Sequence, residues 1–325
     1  MSMVGHIVFY YIPSAWASAL LILDQGQCES LYTRDKQSGR FPRSFYMLPQ
    51  TQFSLQRNGN RAGKKLHPTR IRDIGMTKSY QIFDGKIRSL NQHLQLMDIA
   101  LNVANKKCKE QAEDTMTIAE ALSSDVNIHP QLNAPARTID INRTFTTSRI
   151  KINEQAIIEL YAAFSDYCLS LIKELAHSNS KKRILGLYYS TNQKSQDSLS
   201  YKDILDLGSY DNVINEIAGK VFRRIENVKS TTFQVEVFIK NLGIDVPDDL
   251  KNDAILYLVV RHLIIHNNSK VDDDFNGKNK KGLVETNANG EIKINYALSS
   301  AAITKVTELC KMIDEEIIKK GLLNK

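Results

Sequence analysis

Arginine and histidine side chains suited to acid–base chemistry on a phosphodiester lie close together late in the chain. They are Arg261, His262 and His266, in the string Arg-His-Leu-Ile-Ile-His. Cleavage of RNA by transesterification needs a base for the 2′-hydroxyl proton, an acid for the 5′-oxygen and a cation for the phosphorane. Imidazole titrates near neutral pH, and guanidinium binds two phosphate oxygens at once. These residue types therefore predict RNA cleavage that uses no metal and no cofactor.

The helix that would carry these three residues is unusually apolar. From residue 254 to residue 266, every position except 261, 262 and 266 holds an apolar side chain or Tyr. A helix that is apolar on nearly all sides is a buried one, and burying a charged group without a partner is costly. We therefore expect the three side chains to be paired, to line a cleft or to meet a partner subunit.

Helical spacing separates the arginine from the histidines. His262 and His266 are four residues apart and share a helix face. Arg261 and His266 are five apart, which places them about 140° from each other around the helix axis. A symmetric dimer removes this mismatch, because it can place the arginine of one protomer beside the histidine of the other. The spacing therefore predicts a homodimer with a shared site.

Two other roles are open for the same residues. Arg261 and His266 can form a structural pair satisfied by backbone groups. His262 and His266 can also form half of a metal site with an aspartate from residues 272–274, because histidines four apart on a helix can bind one metal ion. The spacing fixes no third ligand, so we favour RNA cleavage without a metal.

The charge of the chain supports only a local RNA contact. The 325 residues carry a formal net charge of +7, but residues 1–75 alone hold ten basic against four acidic residues. A broad basic face is the usual footprint of nucleic-acid binding, and the rest of the chain is nearly neutral. We expect the substrate to be bound by polar residues that follow the histidines. These candidates are Asn267, Asn268, Lys278, Lys280 and Lys281.

Cysteine usage and hydropathy predict a cytoplasmic protein with no membrane segment. The cysteines are far apart and form no C-x-x-C pair, which fits a reducing compartment. They are Cys28, Cys108, Cys168 and Cys310. Residues 7–23 form an apolar run, but Pro13 interrupts it and no Lys or Arg precedes it. These features argue against a signal peptide or a membrane anchor.

The periodicity of the sequence divides the chain into three parts. Residues 1–75 show no sustained helical or strand pattern, so we expect a poorly structured extension or a misassigned start upstream of Met76. Residues 76–150 predict one helix followed by a polar connector. Residues 151–325 predict a helical domain.

The helical domain is predicted to be all-α, an up-and-down bundle of four to five helices. Its first amphipathic helix is expected to start at Asn153, and residues 181–200 are expected to form a loop. A small β-hairpin insertion is predicted within residues 283–294, near the C-terminal helix, because Asn289-Gly290 lies between short alternating runs.

The string Arg261-His262-x-x-x-His266 resembles the R-x(4–6)-H signature of the HEPN superfamily (higher eukaryotes and prokaryotes nucleotide-binding). The setting is similar as well, since the signature lies near the end of a late helix and a polar turn follows it. Over about residues 150–320, the chain looks like the RiboL-PSP-like HEPN ribonucleases of bacterial conflict and defence systems.

This resemblance implies a dimeric, metal-independent endoribonuclease that acts as a toxin or antiviral effector, with RNA as substrate and an antitoxin or defence-system partner. It implies that His266 is the acid–base residue, that Arg261 is the cation for the phosphate and that His262 is a polar helper. The alternatives are an RNA- or nucleotide-binding protein without catalysis and a structural helical interaction module in a defence complex.

Overall fold

The computed structural model describes residues 75–111, 116–178, 180–190, 199–227 and 230–323. Within these ranges the chain is mostly helical, and no regular β-strand is present. The predictions made for residues 1–74, which include the N-terminal extension, Cys28 and the apolar run, lie outside the described residues.

The all-α class is confirmed by the helices of the described chain. Their bounds are α1 Lys78–Glu110, α2 Ile118–Ala121, α3 Thr138–His177, α4 Lys181–Ser190, α5 Tyr201–Leu207, α6 Tyr210–Glu226, α7 Thr231–Leu242, α8 Asp248–His266, α9 Asp273–Lys278 and α10 Tyr296–Lys319, with a short 3₁₀ turn at Pro130–Leu132.

The 40-residue helix α3 lies at the centre and packs against α1, α6, α8 and α10. Helix α10 runs parallel to it. The hydroxyl of Ser299 donates to the backbone oxygen of Asn153 at 3.3 Å, and the hydroxyl of Tyr167 donates to the backbone oxygen of Cys310 at 3.2 Å. Helices α1, α6 and α8 run antiparallel to α3, so the long helix is surrounded by neighbours of both directions.

Helix α1 is tied to α10 by a buried hydrogen-bonded pair at its start. The backbone N–H of Thr77 donates to Asp314 Oδ2 at 3.1 Å, and the Thr77 hydroxyl donates to the other carboxylate oxygen. The same hydroxyl accepts the Tyr80 N–H at 3.0 Å, which makes Thr77 the N-cap of α1. Capping and helix packing therefore depend on one residue.

The buried apolar side chains form two separate clusters. The main core lies where α1, α3, α8 and α10 meet, together with α4, α6 and α7. A smaller cluster closes the far end of the antiparallel pair α1 and α3. Its members are Cys108, Ile118, Ala121, Ala136, Ile141 and Phe145. The hairpin of α1 and α3 is therefore held by apolar packing at two places along its length.

Helix α3 begins at Thr138, and the prediction that it begins at Asn153 was wrong. The sequence between residues 146 and 155 is too polar to show the helical repeat. The helix nevertheless continues through it, because Ile141 and Phe145 pack into the smaller cluster beyond. Residue 150, the expected end of the second part of the chain, therefore lies inside a helix.

One further segment differs from the prediction, and the predicted β-hairpin is not confirmed. Residues 181–190 form helix α4 instead of a loop, because Ile184 and Leu187 are spaced to enter the main core together. At residues 283–294 the structure has isolated antiparallel bridges, including one between Thr286 and Ile292. Regular strands are not formed among these residues.

Candidate active site

Helix α8 buries its middle and exposes polar groups near its end. Pro247 is its N-cap residue, and Asp248 and Asp249 occupy its first turn, where carboxylates interact favourably with the helix dipole. Residues 254–258, together with Val260 and Leu263, are buried in the core. The two histidines are exposed and Arg261 is half-buried. The apolar helix therefore presents its polar side chains at the surface of the bundle.

The side chains of His262 and His266 are in contact, as their spacing predicts. Their ring centroids lie 4.7 Å apart, with an angle of 43° between the ring planes. The pKa of His262 is lowered from its usual value by partial burial, and also by the nearby charges of His266 and Arg261, while Asp272 opposes this effect. His262 is therefore mainly neutral at neutral pH, which is the form that can accept a proton.

His262 lines a cleft of about 130 Å³, which we call the His262 cleft. Its other walls come from the loop after α8, from α9 and from the start of α7. The lining residues are Ser230, Thr231, Thr232, Val259, Leu263, Asp272, Asp274 and Lys278. The cleft thus brings together a histidine, a lysine and the N-terminus of a helix.

The start of α7 supplies hydrogen-bond donors to the His262 cleft. Ser230 caps the helix by accepting the Phe233 N–H at 3.4 Å. The first N–H groups of a helix have no partner within the helix, and they favour anions. The buried hydroxyl oxygen of Thr232 also has no hydrogen-bond partner among the described residues. This wall of the cleft is therefore suited to phosphate oxygens.

Arg261 lies on a different face of α8 and does not line the His262 cleft. Its guanidinium carbon is 4.8 Å from the ring centroid of Tyr161 on α3, a cation–π arrangement. The Tyr161 hydroxyl donates to Gln234 Oε1 at 3.4 Å. The buried Nε of Arg261 has no hydrogen-bond partner among the described residues. Within one protomer, Arg261 and the histidine pair therefore lie on different faces of α8.

The structure does not bring the predicted substrate-binding residues together in one cleft. Of the three lysines, only Lys278 lines the His262 cleft, where it pairs with Asp274. Lys278, Lys280 and Lys281 all line a neighbouring cleft, in which Lys281 Nζ is 2.8 Å from Asp249 Oδ1 and 3.0 Å from Asp253 Oδ1.

The two asparagines that follow the histidines also have separate positions. Asn267 is the C-cap residue of α8, and its N–H donates to Leu263 O at 3.0 Å. Asn268 adopts a left-handed backbone conformation, with φ of 50°, and lines a third cleft between α3 and the start of α10.

Aspartates of the run 272–274 have structural partners. Asp272 caps α9 by accepting the Phe275 N–H at 2.8 Å, and Asp274 pairs with Lys278. Across the ranges that the structure describes, no three His, Cys, Asp or Glu side chains are placed to hold a metal ion together.

Sequence reasoning missed Tyr161 and the residues at the start of α7. By its spacing, Tyr161 belongs to the apolar face of the helix predicted from Asn153, and its contact with Arg261 is set by the packing of α3 on α8. The string Ser230-Thr231-Thr232 did carry a signal, because hydroxyl residues are typical of helix N-termini. Its position opposite His262 depends on tertiary structure and not on spacing.

The fold and the site define a mostly helical protein with an exposed histidine pair beside a small polar cleft. None of the described helices has the length and apolar character needed to cross a membrane. Comparison with family models, curated proteins and solved structures found no match. The functional assignment therefore depends on the geometry of this site.

Proposed function

We propose that the protein is a metal-independent endoribonuclease with its active site at the His262 cleft, acting as a dimer of the HEPN type. The observation that supports this proposal best is the contact between His262 and His266 at the edge of a cleft that contains a helix N-terminus. Two imidazoles in contact can divide the tasks of base and acid between them.

The proposed reaction places the scissile phosphate at the start of α7, near Lys278. Neutral His262 removes the proton from the 2′-hydroxyl, and the 2′-oxygen attacks phosphorus. The bond from phosphorus to the 5′-oxygen breaks, and protonated His266 gives its proton to that oxygen. The products are a 2′,3′-cyclic phosphate and a 5′-hydroxyl, so atoms and charges balance without a further reactant.

The lowered pKa of His262 supports this division of roles. A base must be unprotonated before it reacts, and the environment of His262 keeps it so. His262 also lines the cleft, whereas the signature alone implied a helper role for it. We therefore assign His262 a more direct part in the reaction than the resemblance does.

Arg261 is proposed to act across a symmetric dimer interface. Apolar side chains near the histidines are exposed, with Ile265 on α8 at 42% and Ile158 on α3 at 36%. Because α3 and α8 are antiparallel and Tyr161 contacts Arg261, Ile158 is about level with Ile264. A second protomer packed on this surface would cover these isoleucines and bring its own Arg261 towards the histidine pair.

The experiment is an RNA-cleavage assay in excess EDTA with the purified protein. We expect fragments that end in 2′,3′-cyclic phosphate, and we expect Arg261→Ala, His262→Ala and His266→Ala each to reduce the rate strongly. The matched control is His93→Ala, which removes an exposed histidine of α1. Circular dichroism and size-exclusion chromatography show whether each variant remains folded and dimeric.

Three outcomes would contradict the proposal. Cleavage that requires a divalent cation would favour the metal-site interpretation of the two histidines. RNA binding without cleavage would favour a binding protein, and the absence of both would favour a structural module. A monomer at micromolar concentration would exclude the shared dimeric site.

The biological role as a toxin or defence effector is a separate part of the proposal. Expression of the wild-type chain in a bacterial host is expected to arrest growth, whereas expression of His266→Ala is not. Equal growth of the two cultures, at equal protein levels, would count against this role. An antitoxin or defence-system partner can then be sought as a suppressor of the arrest.

A further inference from the structure

A second cleft, larger than the His262 cleft, lies between the two apolar clusters of the fold. Its volume is about 660 Å³, within the range of roughly 300–1,000 Å³ that is typical of small-molecule sites. Its walls come from α1, α3, the segment after α8 and the start of α10. We call it the Asn153 cleft, after the most buried polar residue in its lining.

Polar residues occupy inward-facing positions of α3 at this cleft. Ile141 and Phe145 are four residues apart and belong to the smaller cluster, and Ile157 belongs to the main core. Arg149 and Asn153 lie between them in the sequence and, because they are four residues apart, share a face of the helix. Polar residues at core-facing positions of a helix reduce stability, and such exceptions are commonly found at functional sites.

Arg149 and Asn153 both have polar atoms without a partner. Asn153 is only 4% exposed, and its Oδ1 accepts no hydrogen bond from the described residues, although its Nδ2 donates to Arg149 O at 2.8 Å. The Nε of Arg149 is also buried without a partner. One unused acceptor and one unused charged donor therefore lie in the wall of the same cleft. Buried polar atoms are normally paired, so their position indicates a bound group.

The guanidinium of Arg149 is held in place by a hydrogen bond, and its positive charge remains available to a ligand. One of its terminal nitrogens donates to Asn102 Oδ1 on α1, and Asn102 Nδ2 donates to Asp98 Oδ2 at 3.2 Å. This chain of hydrogen bonds orients Arg149 through a neutral amide and not through a direct ion pair.

The carboxylates in the lining of the cleft have partners of their own. Glu154 Oε2 is 2.6 Å from Lys151 Nζ, and Glu291 Oε2 accepts from Asn287 Nδ2 at 2.9 Å. Asp98 is the acceptor for Asn102. Lys293 also lines the cleft, but its Nζ is 3.2 Å from Glu285 Oε2, so among the described lining residues Arg149 is the cation without a direct ion pair.

The start of α10 adds donors and an aromatic ring. Asn295 caps this 24-residue helix by accepting the Leu298 N–H at 2.9 Å, and both Asn295 and Tyr296 line the cleft. The first N–H groups of a helix favour phosphate groups. Phosphate-binding groups, a buried acceptor and a tyrosine ring therefore surround one space.

We propose that the Asn153 cleft binds a nucleoside monophosphate. The phosphate interacts with Arg149 and the first turn of α10, a hydroxyl or amino hydrogen of the nucleoside donates to Asn153 Oδ1, and the base packs on Tyr296. The ligand is either a free nucleotide or one nucleotide of an RNA chain, since both offer the same groups. This site is separate from the His262 cleft and does not depend on RNA cleavage.

The test is isothermal titration of the full chain with 5′-AMP, 5′-UMP and inorganic phosphate. We expect saturable binding of at least one nucleotide, one per protomer, and much weaker binding of phosphate alone. Arg149→Gln is expected to weaken binding by about tenfold to a hundredfold, as is usual for a lost hydrogen bond to a charged group. The control Arg143→Gln removes an exposed arginine of α3 and is expected to bind as the wild type does.

Asn153→Leu separates a binding role from a structural one. The substitution removes a buried acceptor that has no partner, so we expect the melting temperature to be unchanged or raised while nucleotide affinity falls. If Asn153 is merely structural, the variant loses stability and keeps its affinity for nucleotide. Absence of saturable nucleotide binding by the wild type at millimolar concentration, or binding that neither substitution weakens, would overturn the proposal.

Competition with RNA distinguishes the two sources of the nucleotide. A short RNA that displaces the bound nucleotide from the His266→Ala variant identifies the cleft as part of an RNA-binding path. A nucleotide that stays bound beside the RNA identifies a site for a free nucleotide. Because His266→Ala is expected to keep its nucleotide affinity, failure of the cleavage assay and failure of this binding assay are independent results.

Discussion

The guanidinium of Arg261 lies over the ring of Tyr161, a contact that joins the last turns of α8 to the middle of α3. The tyrosine is half-buried, and burial raises the pKa of its hydroxyl while the charge of Arg261 opposes that change. The arginine therefore has a resting position within its own protomer, away from the histidines that it is proposed to assist.

The interaction between Arg261 and Tyr161 can be measured with a double-mutant cycle. We expect Tyr161→Leu and Arg261→Met to show a coupling free energy of about 0.5–2 kcal/mol in urea unfolding, as is usual for a cation–π pair. Tyr161→Phe keeps the ring and is expected to retain most of the coupling. Coupling near zero would show that the two side chains are neighbours without a stabilising contact.

The pKa of His262 predicts a pH dependence of stability. Because its folded pKa lies below the unfolded value of about 6.5, the unfolded chain binds the proton more readily. The contribution of His262 to stability is therefore complete above the unfolded value and is lost as pH falls through the folded pKa. We expect His262→Gln to flatten the fall in unfolding free energy between neutral and mildly acidic pH, measured by urea denaturation.

The same residue can be followed directly by NMR. His266→Gln removes a positive charge from beside His262, so the pKa of His262 is expected to rise towards its usual value. An unchanged titration of His262 in this variant would contradict the electrostatic contact between the two rings.

Lys278 and Lys281 form a matched pair for testing the RNA contact. Lys278 lines the His262 cleft and pairs with Asp274, whereas Lys281 lies outside that cleft and pairs with Asp249 and Asp253. We expect Lys278→Gln to reduce the slope of log affinity against log salt by about 0.7 for single-stranded RNA, because one phosphate contact is lost. Lys281→Gln is expected to leave this slope nearly unchanged. Equal effects would mean that both lysines act only through overall charge.

Thr77 is predicted to be the residue most important for holding α1 on α10. Thr77→Ala removes the helix cap and a hydrogen bond to buried Asp314, so we expect a loss of about 2 kcal/mol or more in unfolding free energy. Burial raises the pKa of Asp314, while the Thr77 bonds lower it by stabilising the charged form. The loss should therefore be larger at neutral than at acidic pH. Thr77→Ser keeps the hydroxyl and is expected to stay close to wild-type stability.

The buried thiols are expected to be unreactive in the folded protein. Burial raises the pKa of the thiols of Cys108, Cys168 and Cys310, so little thiolate forms at neutral pH. In a Cys28→Ser background, we expect slow reaction with a thiol reagent in buffer and fast reaction in urea. Fast reaction without denaturant would show that the bundle opens readily.

Strongly periodic helices could be predicted from the sequence, and interrupted ones could not. The apolar repeat of residues 232–242, followed by Gly243, predicts a helix that ends at this glycine, and α7 ends there with Gly243 as its left-handed C-cap. The predicted start of α3 lies later in the chain than the observed start. The reason is that Arg149 and Asn153 interrupt the apolar repeat that begins with Ile141 and Phe145. The polar residues that obscured this helix are the ones that line the larger cleft.

The geometry of the candidate site could likewise be predicted only where it follows from local spacing. The contact between His262 and His266 follows from a spacing of four residues and could be predicted, and the structure has it. The facing N-terminus of α7 and the contact of Arg261 with Tyr161 depend on how distant helices pack. No local pattern in the sequence determines such packing.

The turn that ends α8 connects the histidine pair to the Asn153 cleft. Asn268 and Ser269 adopt left-handed conformations in succession, and the Ser269 N–H donates back to Leu263 O at 2.9 Å. Both residues line the Asn153 cleft, and His266 lies only two positions before Asn268. A ligand that orders this turn would reduce the conformational entropy that His266 still has to lose when RNA binds. The two ligands would then bind with positive cooperativity through a shared backbone turn, without any movement of the bundle.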